Sequence, residues 1–378
     1  MAIYLDHAAT TAMDGDVWEA MLPYFGAAYG NASSRHTLGR EAETAVDRAR
    51  EKVAKVLGVL PAEVYFTSGG TESDNWILKG VAYANRDKGR HIVATAVEHH
   101  AVLSALEQLV KEGYEVDYVP VDEAGLVRPD VFASYLRRDT VLATCMYVNN
   151  EVGAVEPVGE IGAICRERGV LFHTDAVQAV GVLDLDAGRL NADFLSLSAH
   201  KFYGPKGVGA AYIRKGVKIE PLLAGGAQER GLRAGTYNTP AIVGLSVALE
   251  KAVANAEANR AYVKGLRDDF VRKVRARIEG VTVNGDLGQT APSIVNLRFA
   301  GTSGERILNQ LDLAGICASA GSACTAGTLE VSRVLRAMGL SAQAARECVR
   351  FSFGRDNTPA EIDETADVLA KAVARLRK

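Results

Sequence analysis

Apolar residues recur at three- and four-residue steps at Ala42, Ala45, Val46, Ala49, Val53, Val56 and Leu57. That spacing predicts a helix from about Arg35 to Leu57, which Gly58 can stop. Beyond it, β-rich runs alternate with helical stretches. The predicted strands are Val64–Thr67, His91–Thr95, Val116–Val119, Thr140–Val148, Val170–Asp175, Phe194–Ser198 and Val208–Ile213. Helices are predicted near Glu72–Lys88, Ala101–Glu112, Pro129–Arg137 and Val158–Arg168. Such alternation predicts an α/β unit with a mostly parallel, doubly wound sheet, and the continuously apolar strands fit a sheet covered on both faces. The pattern changes near Pro221. A Gly-rich stretch, AGGAQERGLRAGT, leads into a long helical region from about Pro240 to Arg277, followed by strands at Ser293–Phe299 and Val349–Phe353. The last helix carries Ile362, Ala366, Leu369, Val373 and Leu376 on one face. These breaks place a large domain at 15–255 and a smaller α+β domain at 1–14 and 256–378.

Composition narrows the function classes. The 378 residues are 48% hydrophobic and 24% charged, an ordinary globular mix that excludes a disordered chain. The net charge of −3 gives no electrostatic reason to expect nucleic acid or an anionic membrane. No apolar run approaches the roughly 18 residues of a membrane span, and MAIYLDHAATT does not read as a signal peptide. Five cysteines without a C-x-x-C pair argue against a disulfide framework and a zinc site, and suit a reducing cytoplasm.

Four segments could carry chemistry. Thr67-Ser68-Gly69-Gly70-Thr71-Glu72-Ser73 lies between a strand and a helix, where backbone N–H groups and the helix N-terminus favour an anion; a glycine turn into a Thr-capped helix is the plainer reading. Asp175 ends an apolar strand, the place where doubly wound sheets bind ligands, and could hold a cationic ring nitrogen or a metal. It could equally cap the following segment, with Gln178 completing a capping box. Lys201 follows Ser198 and His200 at another strand end, where a partly buried lysine can form a Schiff base; a turn lysine on the surface is the default alternative, and it is preferred for Lys206. Cys324 sits in the small, polar ASAGSACTAG run, which suits a travelling nucleophilic thiol better than packing; an incidental surface cysteine is the plainer alternative. For Cys145, Cys165, Cys317 and Cys348 burial is expected. His99 could stack on a flat cofactor or shuttle a proton, or be a satisfied core histidine. Arg350, a cation within an apolar strand, needs an internal or a substrate carboxylate.

A phosphate cradle, a strand-end Asp and a strand-end Lys match the phosphate, ring nitrogen and aldehyde of pyridoxal phosphate. TSGGTESDN (67–75), EHHA (98–101), NNEVG (149–153), HTDAVQAVG (173–181), SLSAHKFYGPKGVG (196–209), RAGTYNTP (233–240), GSACTAG (321–327) and VRFSFGR (349–355) resemble, in order, the motifs of cysteine desulfurases. These are pyridoxal-phosphate enzymes of the class V aminotransferase type with a fold type I large domain. The resemblance spans nearly the whole chain, including YLDHAATT, and GSACTAG is similar to the iron–sulfur-assembly and nitrogenase-type branch. It implies an internal aldimine at Lys201, Asp175 on the pyridine nitrogen, Gln178 on the ring hydroxyl and His99 stacked on the ring and active in proton transfer. It implies Gly70, Thr71, Ser198 and His200 on the phosphate, with Thr236 reaching the phosphate of a neighbouring subunit in a homodimer. Asn31, Asn150 and Arg350 would receive the substrate carboxylate, and Cys324 would take the sulfur of L-cysteine as a persulfide, leaving alanine. The sulfur would pass to an acceptor such as an iron–sulfur scaffold protein; no resident metal is expected, only a transient iron–sulfur contact at Cys324. The alternatives are another aminotransferase or a selenocysteine or cysteine-sulfinate lyase of the same fold, or a non-catalytic sulfur-transfer partner.

Overall fold

The computed structural model describes residues 2–320 and 331–377. The strands among the described residues are β1 (Ile3–Tyr4), β2 (Val64–Thr67), β3 (His91–Thr95), β4 (Glu115–Val119), β5 (Thr140–Thr144), β6 (Leu171–Asp175), β7 (Phe194–Ser198), β8 (Gly209–Ile213), β9 (Val281–Asn284), β10 (Ile294–Phe299), β11 (Ile316–Cys317) and β12 (Cys348–Ser352). Seven of them form one sheet in the order β2-β8-β7-β6-β5-β3-β4. The neighbours from β7 to β4 pair in parallel. β8 is antiparallel to both β2 and β7. The connection from 199 to 208 is shorter than the dozen or so residues that a parallel crossover needs, so β8 folds straight back on β7. Because β2 and β7 both oppose β8, they point the same way. The carboxyl ends of β2, β3, β6 and β7 therefore share one edge.

Both faces of this sheet are covered. Val93 and Ala143 pack on one side with helices Thr37–Leu57 and Thr239–Ala254. Ile92, Ala94, Leu142 and Phe194 pack on the other with Trp76, Ile77, Val81 and Leu106 of helices Gly70–Ala84 and His100–Lys111. That two-sided burial is why Ile92-Val93-Ala94 and Val141-Leu142-Ala143 read as unbroken apolar runs. A separate core joins Phe270, Leu297, Phe299, Phe351, Phe353 and Leu369, with Ile3 and Leu5 of the N-terminal segment, around the antiparallel sheet β12-β10-β9. The long helical region expected across 240–277 consists of two helices, Thr239–Ala254 and Ala256–Arg277. They meet at Asn255, whose side chain donates to the Lys251 carbonyl, a local bond that competes with helical continuation. β1, β9 and β11 are short and only partly buried, so they carry little alternation for sequence reasoning to detect.

Candidate active site at the strand ends

Each candidate side chain hangs from the edge just described. β2 runs into Gly69, the N-cap of the helix Gly70–Ala84, whose first N–H groups lack intrahelical partners. A Cβ on Gly70 would stand 2.8 Å from the Val177 side chain, so glycine lets this turn close onto the segment after β6. β3 leads to His99, and β6 ends in the buried Asp175. β7 ends in the buried Ser198, with His200 and Lys201 in the turn beyond. Lys201 is half-buried, not a surface lysine, and its Nζ donates to the carbonyls of Ala8 (2.6 Å) and Ala9 (2.8 Å). Lys206 is exposed, as expected.

Asp175 accepts a 2.9 Å bond from the Val177 N–H, a capping interaction, but no helix follows. The alternative capping box does not form: Gln178 donates instead to the Ala8 carbonyl at 2.8 Å. Burial pushes the Asp175 carboxyl up to about 6, opposed by the Val177 N–H and the charge of Lys201. Two further buried acids stand near it. Asp74 lies one turn into the helix Gly70–Ala84, and its Oδ1, 3.6 Å from His173 Nε2, has no hydrogen-bond partner among the described residues. Burial, then the charge of Asp175, hold the Asp74 carboxyl well above the usual carboxylate range. Glu98 accepts from Thr95 Oγ1 and the Met146 N–H, and burial pushes it up to about 7. His173, bonded to Thr144 and Ser196, is pushed down to about 3 by burial and is neutral.

His99 caps the helix His100–Lys111 by accepting the Ala101 N–H at Nδ1. Burial, Lys201 and His100 push it down to about 4. The neutral ring therefore carries its proton on Nε2. Polar atoms of Asp74, His99 and Asp175 lie within 4.8 Å of one another. His200, bonded to Thr10 Oγ1, is lowered to about 4 by burial and by Lys201 and Lys206.

The remaining candidates divide. Arg350 is buried on β12 and donates to the Asn150 carbonyl (2.7 Å) and to Asp6 (2.8 Å). Of the two partners that the sequence left open, the internal carboxylate is present. Thr71 is exposed at the start of its helix. Asn31 and Thr236 are exposed, and among the described residues no hydrogen bond joins either to Asp175, Lys201 or Arg350. Cys324 lies outside the described residues. The two sides of that stretch are anchored near the site: Ser319 exchanges backbone bonds with Arg350, and Ser332 donates to Glu151. Sequence reasoning missed Asp74, Glu98 and Asp6. It also missed Glu72, which pairs with Arg233 at 2.7 Å and ties the Thr236 loop to the Gly70 helix. Asp74 follows Gly70 by four residues, a spacing that puts both on one helix face and could have exposed it.

Two expected outcomes arise here. A carboxyl raised on folding stabilises the fold below its unfolded value near 4, and that contribution is lost as pH rises through about 6. Asp175→Asn is therefore expected to stabilise the ligand-free protein by on the order of 2 kcal/mol at pH 8 and to leave it unchanged at pH 4. Urea unfolding at the two pH values checks this. Cys145, Cys165 and Cys348 are buried, and burial raises all three thiols, Cys165 to about 12 and Cys348 to about 11. Cys317 departs from expectation, being only partly buried. Iodoacetamide at pH 8 is expected to leave Cys145, Cys165 and Cys348 unlabelled in the native protein and to modify them in urea, as read by peptide mass mapping.

The aminotransferase class-V family model matches residues 3–365. A cysteine desulfurase IscS of Clostridium botulinum is 46% identical over 378 residues, covering 100% of this chain and 95% of that one. Its counterpart in Methanosarcina thermophila is 48% identical over 376 residues, covering 100% and 93%. Among solved structures, a NifS-like protein superposes with a TM-score of 0.94 at 39% identity over the whole of both chains. SspA in complex with cysteine superposes with a TM-score of 0.83 at 34% identity, covering 94% of this chain and 100% of that one.

Proposed function

The chain belongs to the class-V aminotransferase family, among its cysteine desulfurases, and we propose that it converts L-cysteine to L-alanine and carries the sulfur away as a persulfide on Cys324. One observation carries the reading. An amine, a buried carboxyl and a helix N-terminus meet at the carboxyl edge of one sheet, as Lys201, Asp175 and Gly70. The family's enzymes use pyridoxal phosphate, and this donor set fits it. The turn at Gly70 and the hydroxyl of Ser198 would hold its phosphate, with Thr71 and His200 beside them. Asp175 would face its ring nitrogen, Gln178 its ring hydroxyl, and Lys201 its aldehyde. When bound, the group supplies the electron sink that makes the substrate Cα–H acidic.

The protein's own residues supply the rest. Asp175, ionised above about pH 6, would keep a proton on the nitrogen it faces. Lys201 would move the proton at Cα after leaving the Ala8 and Ala9 carbonyls. His99, with Nδ1 occupied by the Ala101 N–H, would pack on the ring and donate from Nε2. Arg350, with Asn150 and Asn31, would take the substrate carboxylate. The Cys324 thiolate would attack the substrate sulfur. The Cβ–S bond would then break with its electron pair left on carbon, Cβ would gain a proton, sulfur would stay on Cys324 and the carbon skeleton would leave as alanine. Cys324 follows Ser319 by five residues, a reach of at most about 18 Å from a segment bonded to Arg350, which supports its access to the site.

The reading extends to the assembly. We propose two domains, 15–255 and 1–14 with 256–378, and a homodimer in which Thr236 serves the neighbouring copy's phosphate site. Exposed Trp18, Leu22, Phe25 and Tyr29 support a covered face. A cytoplasmic setting, with a sulfur-acceptor protein such as an iron–sulfur scaffold, suits a persulfide carrier; among the described residues no helix is long and apolar enough to cross a membrane. The test is alanine formation. Purified enzyme loaded with pyridoxal phosphate and given L-cysteine and a thiol reductant should release alanine and sulfide in equal amounts. Pyruvate with ammonia, or an exchange of amino groups with a keto acid, would contradict the assignment.

A further inference from the structure

Arg350 is among the most deeply buried charges of the chain, at 1% exposure, and a buried guanidinium needs an anion. Asp6 supplies it. Asp6 Oδ1 lies 2.8 Å from one terminal nitrogen of Arg350, the Asn150 carbonyl takes the other at 2.7 Å, and Nε has no hydrogen-bond partner among the described residues. A guanidinium fork binds a carboxylate best through two adjacent N–H groups. The pair still available includes the orphaned Nε and the nitrogen that Asp6 holds. A second carboxylate arriving there meets both an unsatisfied donor and a resident negative charge.

The segment that presents Asp6 is itself bound to the site. Asp6 forms a bridge beside Ser352 of β12, and the carbonyls of Ala8 and Ala9, two and three residues on, accept the Lys201 amine. One short stretch thus occupies both the cation proposed for the substrate carboxylate and the amine proposed for the chemistry. Asp6 retains partial access to solvent, with 18% of its side chain exposed, whereas Arg350 has 2%. The carboxylate borders solvent and the guanidinium does not.

We propose that Asp6 is a displaceable counter-ion: it neutralises Arg350 in the empty site and yields that place to the carboxylate of the incoming amino acid. The proposal rests on the reading of Arg350 as the carboxylate site. Asp6 is then a positioning residue that sets the affinity for carboxylates. It keeps a buried cation compensated between turnovers and makes each ligand compete for it.

The probe is 3-mercaptopropionate, which has the carboxylate and thiol of the substrate but no amine to react. Its Kd is measured by calorimetry on the enzyme loaded with pyridoxal phosphate. Asp6→Asn keeps an acceptor for Arg350 but removes the competing charge, and is expected to bind the probe at least tenfold more tightly. The unliganded variant should melt at a lower temperature than wild type and recover most of the loss on saturation with probe. Asp6→Glu, which keeps the charge, should bind within about threefold of wild type. A residue that merely braces Arg350 would give the opposite sign, weaker binding in Asp6→Asn. Unchanged or weaker binding in that variant, with Arg350→Gln losing the probe, overturns the role of Asp6 alone. Full affinity in Arg350→Gln overturns the carboxylate site and the Asp6 proposal with it.

Discussion

Lys201→Ala is expected to abolish desulfuration, lowering kcat by roughly 10⁴-fold or more. It removes a covalent attachment point and a general base, and the second alone typically contributes 10²–10⁴-fold. The variant should also lose the visible absorption that a lysine-linked cofactor gives. A second consequence separates chemistry from folding. Lys201 opposes the burial that raises Asp175, so without it that carboxyl should titrate above its present value of about 6. Lys201→Arg is expected to keep Asp175 close to that value while remaining inactive, because it retains the charge and not the nucleophile. Alanine release and the pH dependence of cofactor binding measure the two effects independently. Substantial turnover in Lys201→Ala would remove the lysine from the reaction.

Cys324→Ala is expected to lower alanine and sulfide release from L-cysteine by at least about 10³-fold, the loss of a nucleophile. Among the described thiols, Cys145, Cys165 and Cys348 are buried and raised, and Cys317 is raised by burial with Asp312 and Asp6 adding to it. None is suited to replace it. The cofactor band should persist in this variant, because Asp175, Lys201 and Gly70 are untouched. That combination separates a desulfurase from the other reactions of the fold. An aminotransferase, or a lyase acting on selenocysteine or cysteine sulfinate, would need the cofactor residues but not the thiol. Undiminished sulfide release would contradict the role of Cys324.

The strand ends that build the site were legible because their strands are buried on both faces. Val64–Thr67, His91–Thr95 and Phe194–Ser198 are buried at every residue, and each stops where the chain turns toward polar residues. What remained hidden depends on contacts distant in sequence or on local competition. The direction of β8 follows from the length of one turn, not from its own composition. The break at Asn255 comes from a side chain that takes a helix carbonyl. Gln178 had a suitable spacing for a capping box, yet the Ala8 carbonyl, 170 positions away, claims it. Asp6 and Arg350 lie 344 positions apart, and the bonds of the N-terminal segment to Ser352 bring them together. Asp74 sat inside a motif read for its glycines and hydroxyls, where a buried acid on the same helix face drew no notice.

The most direct test is to expose the loaded enzyme to one equivalent of L-cysteine without reductant, quench it, and map the added mass by peptide mass spectrometry. The account predicts one additional sulfur atom on Cys324, with alanine formed in equal amount. Additional sulfur on Cys317 or another cysteine, or alanine formed with no sulfur retained on the protein, would contradict it.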